Sequence, residues 1–252
     1  MHESIFTQVN QRLDHPVHWL PLASKGTSNW LYQGSDHQQP LILRVNARDD
    51  LVFGVDRTCE QAVLSTIQPF PWSVQIIANE PESGWCVMRH HGVGLEGSVL
   101  TYSMKQQLLK AVAECQSITS PPAMSYPDLF ERYQKALNRL SDAAPWLEKL
   151  SHLVASFQAL PTVRPCLTHH DLHPGNLCWQ DEQLRIIDWE YAAVGNPWLD
   201  VAMLHNSCAL DGSSLMGLPA FEQLTETDFI DGLQHAAQVN RLLEQLWYRV
   251  RA

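Results

Sequence analysis

The chain has 252 residues, which is enough for one large domain or two modest lobes. Apolar residues make up 45% of the sequence, so a sizeable core is available. The formal net charge of −10 argues against a nucleic-acid partner, because phosphates favour a basic face, and is compatible with a cationic partner. No apolar run approaches the roughly 20 residues of a membrane span, the N-terminus lacks a signal pattern, and the six cysteines form no C-x-x-C pair. We therefore expect a soluble cytoplasmic protein with no membrane partner.

The first third of the chain is predicted to be rich in strands. The predicted elements are a helix over 3–13, strands over 19–22, 30–33 and 41–45, a helix over 56–69, and strands over 74–78 and 85–88. A small polar turn lies at residues 24–29. Side chains alternate along a strand, so Arg44 is expected on the face opposite to its apolar neighbours. Asp56 is a plausible N-cap of the following helix.

The remainder is predicted to be mostly helical. The pattern breaks at residues 89–94, which we interpret as a hinge. Predicted helices cover 98–118, 128–140 and 146–160, another opens at 200–205, and a last helix runs to about 250 after the capping pattern Thr225-x-x-Asp228. Residues 209–219 are predicted to form a loop.

One stretch, residues 167–204, concentrates the polar chemistry. Asp171 lies in a polar loop and Asn176 follows it by five positions. Two short apolar runs around the four-residue turn 180–183 predict a β-hairpin, and the second run ends on Asp188. Because the two roots of a hairpin lie close together, two carboxylates and an amide oxygen are expected to converge. Such oxygen ligands suit magnesium, and a carboxylate beside them can accept a proton from an attacking hydroxyl.

This stretch resembles a known motif pair. His169-x-Asp171-x4-Asn176, followed by Ile187-Asp188-Trp189-Glu190-Tyr191, is similar to the Brenner-type motifs of small-molecule kinases. These include choline, ethanolamine and thiamine kinases and aminoglycoside phosphotransferases. The resemblance implies an α+β, bilobal, protein-kinase-like fold, with an N-terminal antiparallel sheet lobe at residues 1–89 and a mostly helical C-terminal lobe at residues 90–252. It also implies ATP and Mg²⁺ as cofactors and a small-molecule alcohol as substrate.

The resemblance further implies roles for the polar residues of this stretch. Asp171 would be the catalytic base, and His169 would hold the catalytic loop against the metal-binding segment. Asn176 and Asp188 would be the metal ligands. Asp200 resembles a residue that braces the loop through hydrogen bonds. His169 and His173 are rival bases, because a neutral imidazole can also take a proton.

The nucleotide is expected to contact the N-terminal lobe and the hinge. Arg44 would hold phosphates, and Glu60 would pair with it. The cofactor-binding residues implied in this way are Gly26, Thr27, Ser28 and Asn29 in the polar turn, Arg44 and Glu60, and Met88, Arg89 and His90 beside the adenine. The His90–His91 pair is interpreted as hinge histidines beside solvent rather than as metal ligands, since no third ligand is spaced nearby.

The acceptor is expected to be a small cation such as choline, ethanolamine or thiamine. Glu190, Tyr191 and Trp247 are the candidate substrate residues, with Tyr191 as an aromatic wall for a cation. Tyr248 is a further candidate, although core packing is the more common role for both Trp247 and Tyr248, because aromatic residues at helix ends usually pack. An aminoglycoside acceptor is the alternative.

Two other classes of protein are considered. A zinc hydrolase could use the histidine cluster, namely His169, His170, Asp171, His173 and His205, because zinc favours imidazole ligands. That hypothesis leaves Asn176 and Asp188 without a role. A non-catalytic nucleotide-binding module would be expected to lack Asp171, Asn176 or Asp188, and all three are present. The sequence therefore favours an active kinase.

Overall fold

The computed structural model describes residues 2–22, 29–36, 39–47 and 53–251. Its strands are β1 Leu20–Pro21, β2 Asn29–Asp36, β3 Gln39–Asn46, β4 Ile76–Glu80, β5 Trp85–Arg89, β6 Val93–Gly94, β7 Cys166–Thr168, β8 Leu177–Gln180, β9 Gln183–Ile186 and β10 Ala193–Gly195. Its helices are α1 Glu3–Arg12, α2 Arg57–Ile67, α3 Tyr102–Cys115, α4 Tyr126–Leu137, α5 Ala143–Gln158, α6 Trp198–Cys208, α7 Gly212–Met216 and α8 Glu226–Arg251. Strands thus dominate the first third and helices the remainder, as predicted.

Strands β1 to β5 form one antiparallel sheet in the order β1-β2-β3-β5-β4. On β3, Leu41, Leu43 and Val45 are buried in one cluster with Val9 of α1. The side chain of Arg44 lies on the opposite face, where it reaches α2. The predicted alternation is confirmed, and it gives this strand an apolar face and a charged one.

Helix α2 begins where the sequence predicted. The Asp56 carboxylate accepts hydrogen bonds from the N–H groups of Thr58 and Cys59 at 2.9 and 3.0 Å, which satisfies two of the free donors at the helix start. The helix buries Val63 and Ile67 in the largest core cluster of the described residues, which it shares with elements of the C-terminal part. Helix α2 therefore lies between the sheet and the rest of the molecule.

The predicted hairpin is confirmed as β8 and β9. Leu177 pairs with Ile186, and the two strands are joined through Asp181 and Glu182, whose φ angles are 51° and 59°. Left-handed residues at both central positions match the right-handed twist of a hairpin. The connection is shorter than the predicted four-residue turn, because the ladder extends to the pair Gln180 and Gln183. Strand β6 adds to the other edge of β8.

The C-terminal helices pack around a second apolar cluster. Helix α8 contacts both α5 and α6. The buried residues of this cluster come from α4, α5, α6 and α8 and are Tyr133, Leu137, Leu150, Leu153, Leu199, Val239, Leu242 and Leu246. Within the described residues, no helix is both long enough and apolar enough to cross a bilayer.

Several predicted helix limits were wrong. Residues 209–219 are not simply a loop: α7 begins there, with Asp211 accepting from the Ser214 N–H at 2.8 Å. A helix of five residues has too few positions to show an apolar period. Helix α4 begins at Tyr126 rather than at 128, because Ser125 caps it and proline is tolerated in the first turn. Similarly, α3 begins later than predicted, after its Thr101 cap, and α6 begins earlier, at Trp198.

We predict that Phe221→Ala destabilises the fold by about 3–5 kcal/mol, the usual cost of truncating a buried Phe. Phe221 is 0% exposed, and its ring centroid lies 4.6 Å from that of Trp198 and 5.4 Å from that of Phe229. Denaturant unfolding measures the change. Val99→Ala is the control, because Val99 is 91% exposed. Equal effects of the two changes would contradict the prediction.

Candidate active site

The two roots of the β8–β9 hairpin meet, as predicted. The N–H of Ile187, the residue before Asp188, donates to the Asn176 carbonyl at 3.0 Å. The Asn176 side-chain amide donates to the carbonyl oxygen of Asp171 at 2.8 Å and to its carboxylate at 2.9 Å. Both of these contacts use the amide nitrogen, so the side-chain oxygen is the atom that Asn176 can offer to a cation. Asp171, Asn176 and Asp188 therefore lie at one corner of the hairpin.

The Asp171 carboxylate stays ionised. Burial acts to raise its pKa, but the nearby imidazoles of His173 and His169, together with the hydrogen bond from Asn176, outweigh burial and lower the pKa. The His173 ring nitrogen lies 3.7 Å from the carboxylate, so it makes a longer contact than Asn176 does. An ionised carboxylate is the state that a general base requires.

Asp188 is buried among groups whose net charge is negative. Its pKa is raised to about 7, first because its carboxyl group is withdrawn from water, and then because Glu190, Asp171 and Glu60 lie nearby. Arg44 offsets only part of this effect. Asp188 also adopts a left-handed backbone with φ of 63°, which is uncommon for a residue other than glycine. The site is therefore arranged so that an additional cation would stabilise it.

His169 ties the catalytic loop to the segment of Asp188. Its Nε2–H donates to the Ile187 carbonyl at 2.9 Å, and the residue is 2% exposed. Burial is the main cause that lowers the pKa of His169, to about 4, so the ring is neutral near pH 7. This contact is the one predicted for a histidine that holds the loop in place.

Asp200 braces the same loop from α6. Its two carboxylate oxygens accept from the N–H groups of His169 and His170 at 2.7 and 2.9 Å. The side chain is buried, and burial is the main cause that raises its pKa to about 7. The predicted bracing contact is confirmed: the loop before Asp171 is hydrogen-bonded to a helix.

The predicted pairing of Arg44 with Glu60 is also confirmed. The two terminal nitrogens of Arg44 donate to the two carboxylate oxygens of Glu60 at 2.6 and 2.9 Å. Both side chains are less than a tenth exposed. A two-pronged contact of this kind fixes a guanidinium more firmly than a single bond does.

Sequence reasoning missed Arg57, which extends this ion pair. The same nitrogen of Arg57 lies 2.8 Å from Glu60 and 3.1 Å from Glu190, and the other terminal nitrogen donates to Asn29 at 3.1 Å. The (i, i+3) spacing of Arg57 and Glu60 on α2 was a usable signal for half of this arrangement. The contact with Glu190 has no local signal.

Only part of the predicted phosphate turn can be placed. Gly26, Thr27 and Ser28 lie outside the described residues. Asn29 begins β2, and its side-chain amide donates to Glu190 at 2.9 Å. Its side-chain oxygen accepts from the N–H of Ala47. Asn29 therefore contacts Glu190, which we predicted as a substrate residue.

The hinge segment differs from the expectation. The N–H groups of Arg89 and His90 donate to the carbonyls of Gln75 and Pro40 at 2.9 and 3.0 Å. An adenine contact by the segment from Met88 to His90 stays a prediction, and these two N–H groups are already used. His91 is buried rather than beside solvent: it accepts from the Gln75 N–H at 2.9 Å, and burial is the main cause that lowers its pKa to about 4.

A cavity of about 240 Å³ lies beside the segment that follows Asp188. Its wall includes Glu190 and Tyr191, the carboxylate residues Asp56 and Asp128, and apolar residues such as Leu129. Trp247 donates its indole N–H to the Tyr191 hydroxyl at 3.0 Å, which brings these two predicted substrate residues together. Tyr248 is 57% exposed, so the core packing we expected for it is wrong.

The zinc alternative finds no support in the structure. In the part of the chain described here, no group of three or more His, Cys, Asp or Glu side chains is arranged to hold a metal ion. The imidazoles are used elsewhere: His170 bonds to the Tyr126 hydroxyl and to the Tyr191 carbonyl, and His205 bonds to the Leu210 carbonyl. These partners hold the rings away from a common centre.

Comparison with known proteins agrees with this fold and site. Residues 19–233 match the phosphotransferase enzyme family, APH. Because this match covers most of the chain, the protein belongs to that family. The family predicted from the two motifs is thereby confirmed.

Individual relatives are more distant. Protein LicA of Haemophilus influenzae strain Rd is 35% identical over 83 residues, which is 31% of this chain and 30% of that protein. The chain thus matches less than a third of the length of this curated relative. Choline kinase LicA from Streptococcus pneumoniae superposes with a TM-score of 0.71 at 15% identity, over 99% of this chain and 91% of that one. Spectinomycin phosphotransferase APH(9)-Ia, solved with ADP and spectinomycin, superposes with a TM-score of 0.66 at 12% identity, over 98% of this chain and 87% of that one. The predicted kinase-like α+β fold is confirmed, whereas the lobe boundary at residues 89 and 90 stays a prediction.

We predict that Asp200→Ala lowers the free energy of unfolding by about 3 kcal/mol, since each buried N–H left without a partner costs roughly 1–3 kcal/mol. It leaves the N–H groups of His169 and His170 unpaired. Urea unfolding tests this, with Thr225→Ala as the control, because the exposed Thr225 hydroxyl caps α8 by accepting from the Asp228 N–H at 3.1 Å, and its loss is expected to cost only about 1 kcal/mol. A loss no larger than the control's would contradict the bracing role.

Proposed function

We propose that this protein is an ATP- and Mg²⁺-dependent phosphotransferase that moves the γ-phosphoryl group of ATP to a hydroxyl of a small cationic molecule. The observation that carries the proposal is the meeting of Asp171, Asn176 and Asp188 at the hairpin roots. Membership of the phosphotransferase family supports it. Phosphoryl transfer needs mainly positioning and charge neutralisation from a protein, and this corner of the hairpin has the groups for both.

Asn176 and Asp188 are the residues that would hold magnesium. The donor set is an amide oxygen and a carboxylate, which suits a hard cation. Burial and then the nearby carboxylates raise the pKa of Asp188 to about 7, and a cation bound beside it would relieve both effects, as expected for a cation ligand. When bound, magnesium neutralises phosphate charge and orients the phosphates. Arg44, held by Glu60, is the proposed partner of the phosphates from the sheet side.

Asp171 is the proposed base. Its carboxylate is ionised and has a side-chain contact from Asn176, so its orientation is defined. It would orient the acceptor hydroxyl and take its proton as the bond to phosphorus forms. His169 is unsuited to this task because it is only 2% exposed and burial lowers its pKa to about 4, which makes the imidazole a weak base.

The cavity beside Glu190 and Tyr191 supports a cationic acceptor. Three carboxylate residues, one arginine (Arg132) and the ring of Tyr191 line a space of about 240 Å³, so the charged residues of the lining are net acidic and the space is the size of a small organic molecule. The Tyr191 carbonyl accepts from the ring of His170, the residue before Asp171, so the cavity wall and the catalytic loop are joined. Choline, ethanolamine and thiamine are the proposed acceptors. An aminoglycoside is the alternative, because the fold is also that of spectinomycin phosphotransferase.

We expect the purified chain to bind ATP in the presence of Mg²⁺ and to lose at least about tenfold in affinity in excess chelator, because metal and phosphates share the Asp188 corner. Calorimetric titration measures the affinity. An ATP-consumption assay with choline, ethanolamine, thiamine and spectinomycin then identifies the acceptor. Tight, stoichiometric binding of zinc together with no binding of nucleotide would refute the proposal. Turnover of spectinomycin alone would move the acceptor to the aminoglycoside class.

We predict that Asp171→Asn preserves folding and ATP affinity but lowers turnover about a hundredfold or more, the usual scale of general-base assistance. His173→Ala is the matched comparison and should cost less, because its ring lies 3.7 Å from the carboxylate. Steady-state turnover and nucleotide affinity are measured for both variants. Near-normal turnover of Asp171→Asn together with an inactive His173→Ala would move the base to the histidine.

A further inference from the structure

Arg57 occupies an unusual place in the network around the site. It is the first residue of α2, and its side chain is 17% exposed. It contacts Glu60 on its own helix, Asn29 at the start of β2 and Glu190 beyond the hairpin. These three partners belong to three different parts of the chain. One guanidinium therefore joins the sheet, α2 and the segment that carries Asp188.

The two arginines of this network have different tasks. Arg44 directs both terminal nitrogens at Glu60, one to each oxygen. Arg57 contacts one of the same Glu60 oxygens and also contacts Glu190. It is therefore the cation that extends the ion pair to the segment beyond the hairpin. A guanidinium can do this because its donors point in several fixed directions, whereas an ammonium is a point charge.

Glu190 depends on this cation. Its side chain is 4% exposed, and one of its oxygens bonds to both Arg57 and Asn29. Without Arg57 that oxygen would keep only the neutral amide of Asn29. A buried carboxylate without a cation is strongly unfavourable, so Glu190 would have to move. Asp188 lies only two residues before it and would move with it.

We propose that Arg57 is a positioning residue for phosphoryl transfer, which fixes Asp188 in the metal–nucleotide site by holding Glu190 against α2. The inference rests on the proposed function, because it assigns Arg57 to the geometry of that same site. Arg57 is not expected to touch the reacting atoms: its effect passes through Glu190.

The test compares Arg57→Gln and Arg57→Lys with the wild type. Arg57→Gln should raise the Mg²⁺ concentration for half-maximal turnover and the KM for ATP about tenfold, and Arg57→Lys should recover part of this because it keeps the charge. Arg12→Gln is the matched control, because Arg12 also pairs with a glutamate, Glu80, but is 62% exposed. A merely structural role would lower the fraction of folded protein and leave the magnesium requirement unchanged, which would overturn the proposal.

A double-mutant cycle identifies the route. If Arg57 acts through Glu190, then Arg57→Gln combined with Glu190→Gln should need no more magnesium than Glu190→Gln alone. Additive effects would overturn the proposal. Calorimetric binding of Mg²⁺ and ADP supplies a readout besides turnover. A wild type that binds neither ligand would refute the proposed function and this inference together. If the wild type binds both ligands and Arg57→Gln binds them with the same affinities, only the role of Arg57 is refuted.

Discussion

The hydrogen bonds of the buried Asp200 carboxylate hold the loop on which the rest of the site depends. They fix two successive N–H groups, and the second belongs to His170, which has a left-handed φ of 66°. This conformation is unfavourable for a bulky side chain and persists only where its surroundings impose it. His170 donates its Nδ1–H to the Tyr191 carbonyl, so Nε2 of the neutral ring accepts from the Tyr126 hydroxyl, whose oxygen in turn accepts from the Asn196 N–H. Burial is the main cause that lowers the pKa of His170, to about 4, so the ring stays neutral in this network.

The second constraint is electrostatic. Asp171, Asp188, Glu190 and Glu60 bring four carboxylates close to two guanidinium groups, those of Arg44 and Arg57. Within the described residues these carboxylates outnumber the cations paired with them, and that excess adds to burial, the main cause of the high pKa of Asp188. Charges withdrawn from water have to be compensated locally. A divalent cation would supply the missing charge at the corner where the proposed ligands lie.

The fold alone does not determine which acceptor an enzyme of this kind uses. A choline kinase and a spectinomycin phosphotransferase superpose on the same chain almost end to end, although choline and spectinomycin differ greatly in size and structure. Differences between such enzymes have to come from side chains around the acceptor rather than from the sheet or the hairpin. We propose that in this chain those side chains are the residues of the cavity beside Tyr191, where three carboxylate residues outnumber the single arginine, Arg132, and favour a cationic acceptor.

The sequence by itself determined what depends on local periodicity and short spacing. The alternation along β3, the Asp56 cap and the hairpin with polar residues at its roots are all properties of neighbouring positions, and the structure has them. Tertiary structure decided which distant charges meet. The chain has 17 Lys and Arg residues and 27 Asp and Glu residues, and nothing local selects Glu190 as a partner of Arg57 and Asn29 among so many pairs. That choice, like the burial of His91, depends on how the sheet, α2 and the hairpin pack, because an ion pair is specified by distance in space and not by spacing along the chain.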